Sequence, residues 1–125
     1  MEINLKSSSR WLMIMFYVLA GINHFISPNF YLPLIPPYLP SPIGINIVSG
    51  IVEVIFAIFL MFKCTQKWAV HGIILMLIAF IPSHVYFIQI NSCIQGGLCV
   101  ASWIGWVRLL IIHPILIFWA WSNRK

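Results

Sequence analysis

An integral membrane bundle, all-α with four spans, is the fold class this chain predicts, on three observations. Its 125 residues are 62% hydrophobic and only 7% charged, with a mean hydropathy of +0.99, outside the usual soluble range. A span consumes about 20 mostly apolar residues. Four apolar runs, at 11–26, 43–62, 68–90 and 101–121, therefore nearly use up the chain and leave one domain over 1–125. Third, Lys6, Arg10, Lys63, Lys67, Arg124 and Lys125, six of the seven basic residues, fall on one side of a four-span topology. That asymmetry predicts both termini on the cytoplasmic side. Contact with anionic lipid headgroups accounts for the net charge of +5. No groove-reading motif accompanies it, so a nucleic-acid partner is not expected.

Span one follows a basic, signal-like start, but Asn23, His24 and Phe25 stand where a small-residue cleavage site would be. It is read as an uncleaved span. Trp11 suits one interface, and Phe25, Phe30 and Tyr31 the other. Tyr17, Ala20 or Gly21, and His24 share one helical face, as contacts between membrane helices do.

Residues 23–42 join spans one and two and hold six of the eight prolines, four aromatic residues and no formal charge. Proline fixes its own backbone and pushes the preceding residue towards extended conformations. The segment is expected to be a stiff apolar lid at the outer interface. Pro28, Tyr31, Pro36, Pro37 and Pro40 mark its turns.

In span two Asn46, Ser49, Gly50, Glu53 and Ala57 recur every three or four residues and form one stripe. Glu53 lies about 15 Å from the outer end, near the middle of a bilayer. The stretch 63–67, KCTQK, reads as a tight cytoplasmic turn with a reduced Cys64. Pro82 interrupts span three, where His84, Ile88 and Asn91 are expected on one face. Ser102, Gly105 and Arg108 share a face of span four, His113-Pro114 marks a second kink, and Trp119 and Trp121 close the cytoplasmic side.

Glu53 and Arg108 are the only formal charges inside the spans. Charges in a membrane are expensive, face the bundle interior and pair. A Glu53–Arg108 interaction supported by His24 and His84 is therefore expected, serving either as a ligand or proton-handling site or as a structural clasp. Metal binding is not expected, because no HExxH and no histidine pair at one-turn spacing is present. His71 and His113 read as packing or interface residues. Cys93 and Cys99, six apart with Gly96 and Gly97 between them, are positioned for a disulfide on the outer side, as a staple or a redox pair. No catalytic motif appears.

GINHFISPNFYLPLIPPYLP followed by SGIVEVIFAIFL resembles the DoxX-like family of small four-span bacterial membrane proteins. The elements that carry the likeness are Gly21, His24, Phe25, Pro28, Tyr31, Pro36, Pro37, Leu39, Pro40, Gly50 and Glu53. FIPSHVYF around His84 and WVRLLIIHPILIFWAW around Arg108 are similar to the family's third and fourth spans. The resemblance implies a four-helix bundle in the bacterial cytoplasmic membrane with His24, Glu53, His84 and Arg108 as site residues. Some members belong to thiol- or quinone-linked oxidoreductase systems. It thus suggests an accessory in redox or stress physiology, with a small amphipathic ligand such as a quinone, or a redox partner protein, beside the membrane lipid. The alternative is a non-enzymatic scaffold or a proton-coupled transport bundle.

Overall fold

The computed structural model describes residues 5–94, 97 and 99–124, with the backbone alone at Lys6. Lys125, Gly96 and the Lys6 side chain, which enter the sequence reading, lie outside the described residues. Helices α1 (Leu5–Ile26), α2 (Pro28–Tyr31), α3 (Pro42–Leu60), α4 (Lys63–Ala79), α5 (Ile81–Gln89), α6 (Ser102–Val107) and α7 (His113–Ser122) follow in order. A 3-10 turn, Leu32–Leu34, follows α2, and a π-helical turn, Arg108–Ile112, joins α6 to α7. Four helical stretches are long and apolar enough to cross a membrane: Ser7–Ile26, Pro42–Leu60, Lys63–Gln89 and Ser102–Ser122.

The first and third spans begin earlier than their apolar runs. Polar residues extend α1 because the bundle gives them partners: Trp119 Nε1 donates to Ser9 Oγ at 2.8 Å and Arg10 Nη1 to Gln66 Oε1 at 3.2 Å. KCTQK is not a turn but the first turns of α4. Only Met61 and Phe62 separate α3 from α4, and the Thr65 hydroxyl donates to the Phe59 carbonyl at 2.7 Å, satisfying an end-of-helix acceptor. The second and third spans end slightly early, at Leu60 and Gln89. Asn91, with φ of 59°, has left the helix and does not share a face with His84.

Both prolines within spans leave a mark. Pro82 has no N–H for the Ile78 carbonyl, and the helix breaks at Phe80. At that break the Ser83 hydroxyl donates to Leu34 O at 2.7 Å and docks the proline-rich segment. Pro114 has no N–H for the Leu110 carbonyl, and the turn before it widens to π geometry.

Helix α1 packs on α3, α3 on α4 and α4 on α7; α5 packs on α6 and the π turn. A dry core of Met13, Leu60, Ala69, Val70, Ile73 and Ala120 fills one half of the bundle. That half ends where the start of α1, the α3–α4 turn and the end of α7 meet, with Gln66 Nε2 donating to Asn123 O at 2.7 Å. Arg10, Lys63, Lys67 and Arg124 therefore share this basic end. At the opposite end Cys93 and Cys99 are disulfide-bonded, and Asn91 and Ser92, both with positive φ, turn the chain out of α5. Outward positions such as Leu12, Leu19, Val48, Leu75, Leu110 and Phe118 are exposed and apolar.

The α1–α3 contact is closest at Gly21 and Gly50. A Cβ on Gly21 would sit 2.8 Å from the Gly50 carbonyl oxygen, and one on Gly50 would sit 2.9 Å from that of Gly21. Backbone atoms cannot swing aside, so Gly21→Ala and Gly50→Ala should each destabilise the bundle by about 1–3 kcal/mol. Thermal unfolding in detergent, read by circular dichroism, checks this; unchanged midpoints would mean that the helices separate freely.

Candidate functional site

The half of the bundle away from the dry core is hollow. A cavity of about 350 Å³ lies between α1, α3, α4, α5 and the π turn, roofed by the proline-rich segment. Its walls are mostly apolar, including Phe16, Ile45, Leu77 and Leu116, and its polar groups gather on two sides. The site is thus a greasy cavity with two polar walls rather than a polar pocket.

One wall comes from α1 and α3. His24, Asn46 and Glu53 are buried, at 7%, 4% and 5% exposure. Asn46 Nδ2 donates to the His24 carbonyl at 2.9 Å, which orients the amide so that Oδ1 meets His24 Nδ1 at 2.7 Å. An amide oxygen only accepts, so Nδ1 carries the hydrogen. His24 Nε2 then faces Glu53 Oε2 at 3.3 Å, within ion-pair reach but outside hydrogen-bond geometry. With Nδ1–H fixed, one proton on either Nε2 or Oε2 makes this contact attractive, as imidazolium–carboxylate or as imidazole–carboxylic acid. In either form the pair is neutral as a unit.

Tyr31 caps this wall. Its ring stacks on His24 with centroids 3.9 Å apart, and Asn23 Nδ2 donates to its hydroxyl at 2.8 Å. Leu34 and Pro36 are buried beneath the same roof, whereas Pro37 and Pro40 are exposed and Pro28 lies off the cavity lining. The lid is a short helix and a 3-10 turn rather than an extended strap.

The second wall comes from α5, the π turn and the start of α7. The His84 and His113 rings meet edge to face at 4.7 Å, and the Arg108 guanidinium lies 4.9 Å from the Phe87 ring centroid. Four nitrogens here are buried without a hydrogen-bond partner among the described residues: His84 Nδ1, Arg108 Nη1 and both ring nitrogens of His113. The Leu77 carbonyl lies beside the His113 ring but outside hydrogen-bond geometry.

The expected Glu53–Arg108 ion pair is not formed. His24, one helical turn above Gly21 on the face that α3 approaches most closely, takes the carboxylate. All four expected residues, His24, Glu53, His84 and Arg108, nevertheless line the one cavity. His113 joins them rather than serving as packing alone, because the π turn carries it to the side of Arg108. Asn46, which sequence reading placed on the stripe but not in the site, fixes the His24 tautomer. Its signal was its position two turns before Glu53. Cys93 and Cys99 do not line the cavity. Among the described residues no group of three histidine, cysteine or acidic side chains is arranged to hold a metal ion.

Residues 13–124, which include every polar residue of both walls, match the family described as a domain of unknown function, DUF8561. The chain belongs to that family. No curated protein and no solved structure gave a match. The matched region of this DUF8561 domain runs from the dry core through the cavity to the end of α7, so it spans both halves of the bundle.

Two consequences of the pairing are measurable. Asn46→Ala strands a buried N–H and a buried carbonyl and should cost about 2 kcal/mol in reversible unfolding. In double-mutant cycles, His24 and Glu53 should couple by about 1 kcal/mol or more, while Glu53 and Arg108 couple by less than about 0.5 kcal/mol. The reverse order would restore the clasp between Glu53 and Arg108.

Proposed function

We propose that this chain is a multi-pass protein of the bacterial cytoplasmic membrane, DoxX-like in kind, that binds a small amphipathic molecule in its inner cavity. The observation that carries the reading is the cavity itself: about 350 Å³, within the size range of small-molecule sites, with apolar walls and convergent polar groups. The four long apolar helices and their apolar outward faces support a membrane setting. A scaffold whose polar groups only clasp helices together would pair those groups, yet the second wall leaves its nitrogens unfilled. Native mass spectrometry of the gently solubilised protein should find an amphiphile retained. Ala20→Phe, which adds a ring to the cavity lining from α1, should abolish retention while the protein stays folded. Retention unchanged by this variant would sink the reading.

The basic end supports a topology with both termini in the cytoplasm. Cys64 is a free, exposed cysteine near that end. A membrane-impermeant maleimide should label it only after the cells are permeabilised; labelling of intact cells would reverse the orientation.

One observation favours a place in redox physiology. The Cys93–Cys99 disulfide is at the opposite end of the bundle with both residues exposed, within reach of a thiol partner protein. Differential alkylation with respiration blocked and unblocked tests it. A bond that cycles with respiratory state supports an oxidoreductase accessory, quinone-linked as the DoxX-like resemblance suggests; a permanently oxidised bond makes it a staple.

A further inference from the structure

We propose that the second wall of the cavity is a seat for an anionic headgroup, so that the ligand is a single-chain amphiphile ending in a carboxylate or phosphate. This rests on the reading of the cavity as a ligand site and adds the chemistry of what fills it.

The argument begins with a charge count. The chain has two acidic residues, Glu2 and Glu53, and only Glu53 lies within the long helices. His24 faces Glu53 at 3.3 Å, and with one proton between them the pair carries no net charge. Among the described residues Arg108 is therefore left with a positive charge and no carboxylate to meet it. Its guanidinium lies against the face of Phe87, which cannot neutralise it. A guanidinium inside a membrane bundle without a counter-charge is costly. A ligand anion lowers that cost.

The neighbours of Arg108 are suited to the same anion. Arg108 Nη1, His84 Nδ1 and the ring nitrogens of His113 are buried, unfilled and on residues that line one cavity. His113 is only 4% exposed. A carboxylate or phosphate accepts several hydrogen bonds at once, and arginine matches it with two parallel donors. Neutral imidazoles each contribute one N–H, so all three side chains can serve one headgroup.

The bundle also leaves a place for the tail. Helices α1 and α7 meet near the basic end, through Trp119 and Asn123 on Ser9 and the Phe16–Trp119 ring edge, and are otherwise not closely packed. Above that junction Phe16 and Ala20 on one side, and Ile112 and Leu116 on the other, line the cavity. Phe16 and Ile112 are also exposed on the outer surface. An alkyl chain leaving the headgroup seat by this gap passes between apolar side chains into lipid.

The test uses the full-length protein in nanodiscs of phosphatidylcholine and a fluorescent fatty acid as the displaced probe. Palmitate, hexadecyl phosphate and hexadecanol, matched in chain length, compete for it. At least one of the two anions should bind about tenfold or more tightly than the alcohol, as hydrogen bonds to a charged group provide. Which anion leads distinguishes a carboxylate from a phosphate headgroup. Arg108→Gln should weaken the preferred anion about tenfold, to the level of hexadecanol. Equal, saturable binding of all three compounds overturns the headgroup seat but leaves the cavity as an amphiphile site. No displacement by any of them takes down both readings. A preference that survives Arg108→Gln also overturns the seat. So does failure of that variant to fold, because the proposal requires that Arg108 have no structural partner.

Discussion

The arrangement of this bundle turns on who holds Glu53. It is the one carboxylate the long helices contain, and two basic side chains, His24 and Arg108, line the same cavity. Helices α1 and α3 run antiparallel and meet at Gly21 and Gly50 with almost no side chain between them, so His24 and Glu53, one turn to either side of that contact, reach each other across it. Asn46 then fixes the imidazole by bonding both its ring and its backbone. With the carboxylate committed on one side, the other side keeps its charge. A pair of small residues thus decides where in the cavity the charge remains unmatched.

Much of this was legible in the chain. The stripe Asn46, Gly50, Glu53 and Ala57 is buried as its spacing implies, and Tyr17, Gly21 and His24 face it. Pro82 breaks its helix where a missing N–H must. What escaped reading has physical causes. Helical periodicity shows which residues share a face but not how far that face stands from its neighbour, so it could not choose between His24 and Arg108 as the partner of Glu53. The choice was made by glycine–glycine contact, a property of two helices at once. His113 escaped because, five residues after Arg108, it falls on another side of an α-helix; the π turn brings the two together. The start of α4 escaped because Lys63 and Lys67 look like loop residues until the Thr65 hydroxyl and the two-residue turn are seen.

The two polar walls are built on different principles. The wall from α1 and α3 is largely paired within itself: Asn46 bonds the ring and the carbonyl of His24, Tyr31 covers the imidazole, and Asn23 holds Tyr31, while Glu53 Oε2 meets His24 without a hydrogen bond. The wall from α5, the π turn and α7 has no such internal hydrogen bonds among the described residues. A network of paired groups rigidifies its surroundings, whereas unfilled buried polar atoms are retained at a cost. The first wall is the frame of the cavity and the second is the part that meets a ligand.

The unequal filling of the two halves has a mechanical consequence. Side chains packed to crystal-like density resist deformation, so the end with Leu60, Val70, Ile73 and Ala120 behaves as a stiff base. The hollow end is carried by short segments, α2, α5 and α6, each joined through a turn or a break. Such pieces open at lower free energy than long packed helices. Motion is therefore expected at the rim, with amide exchange along a single long helix slow at the base and fast at the mouth. The bundle works as a cup with a rigid foot and a compliant lip.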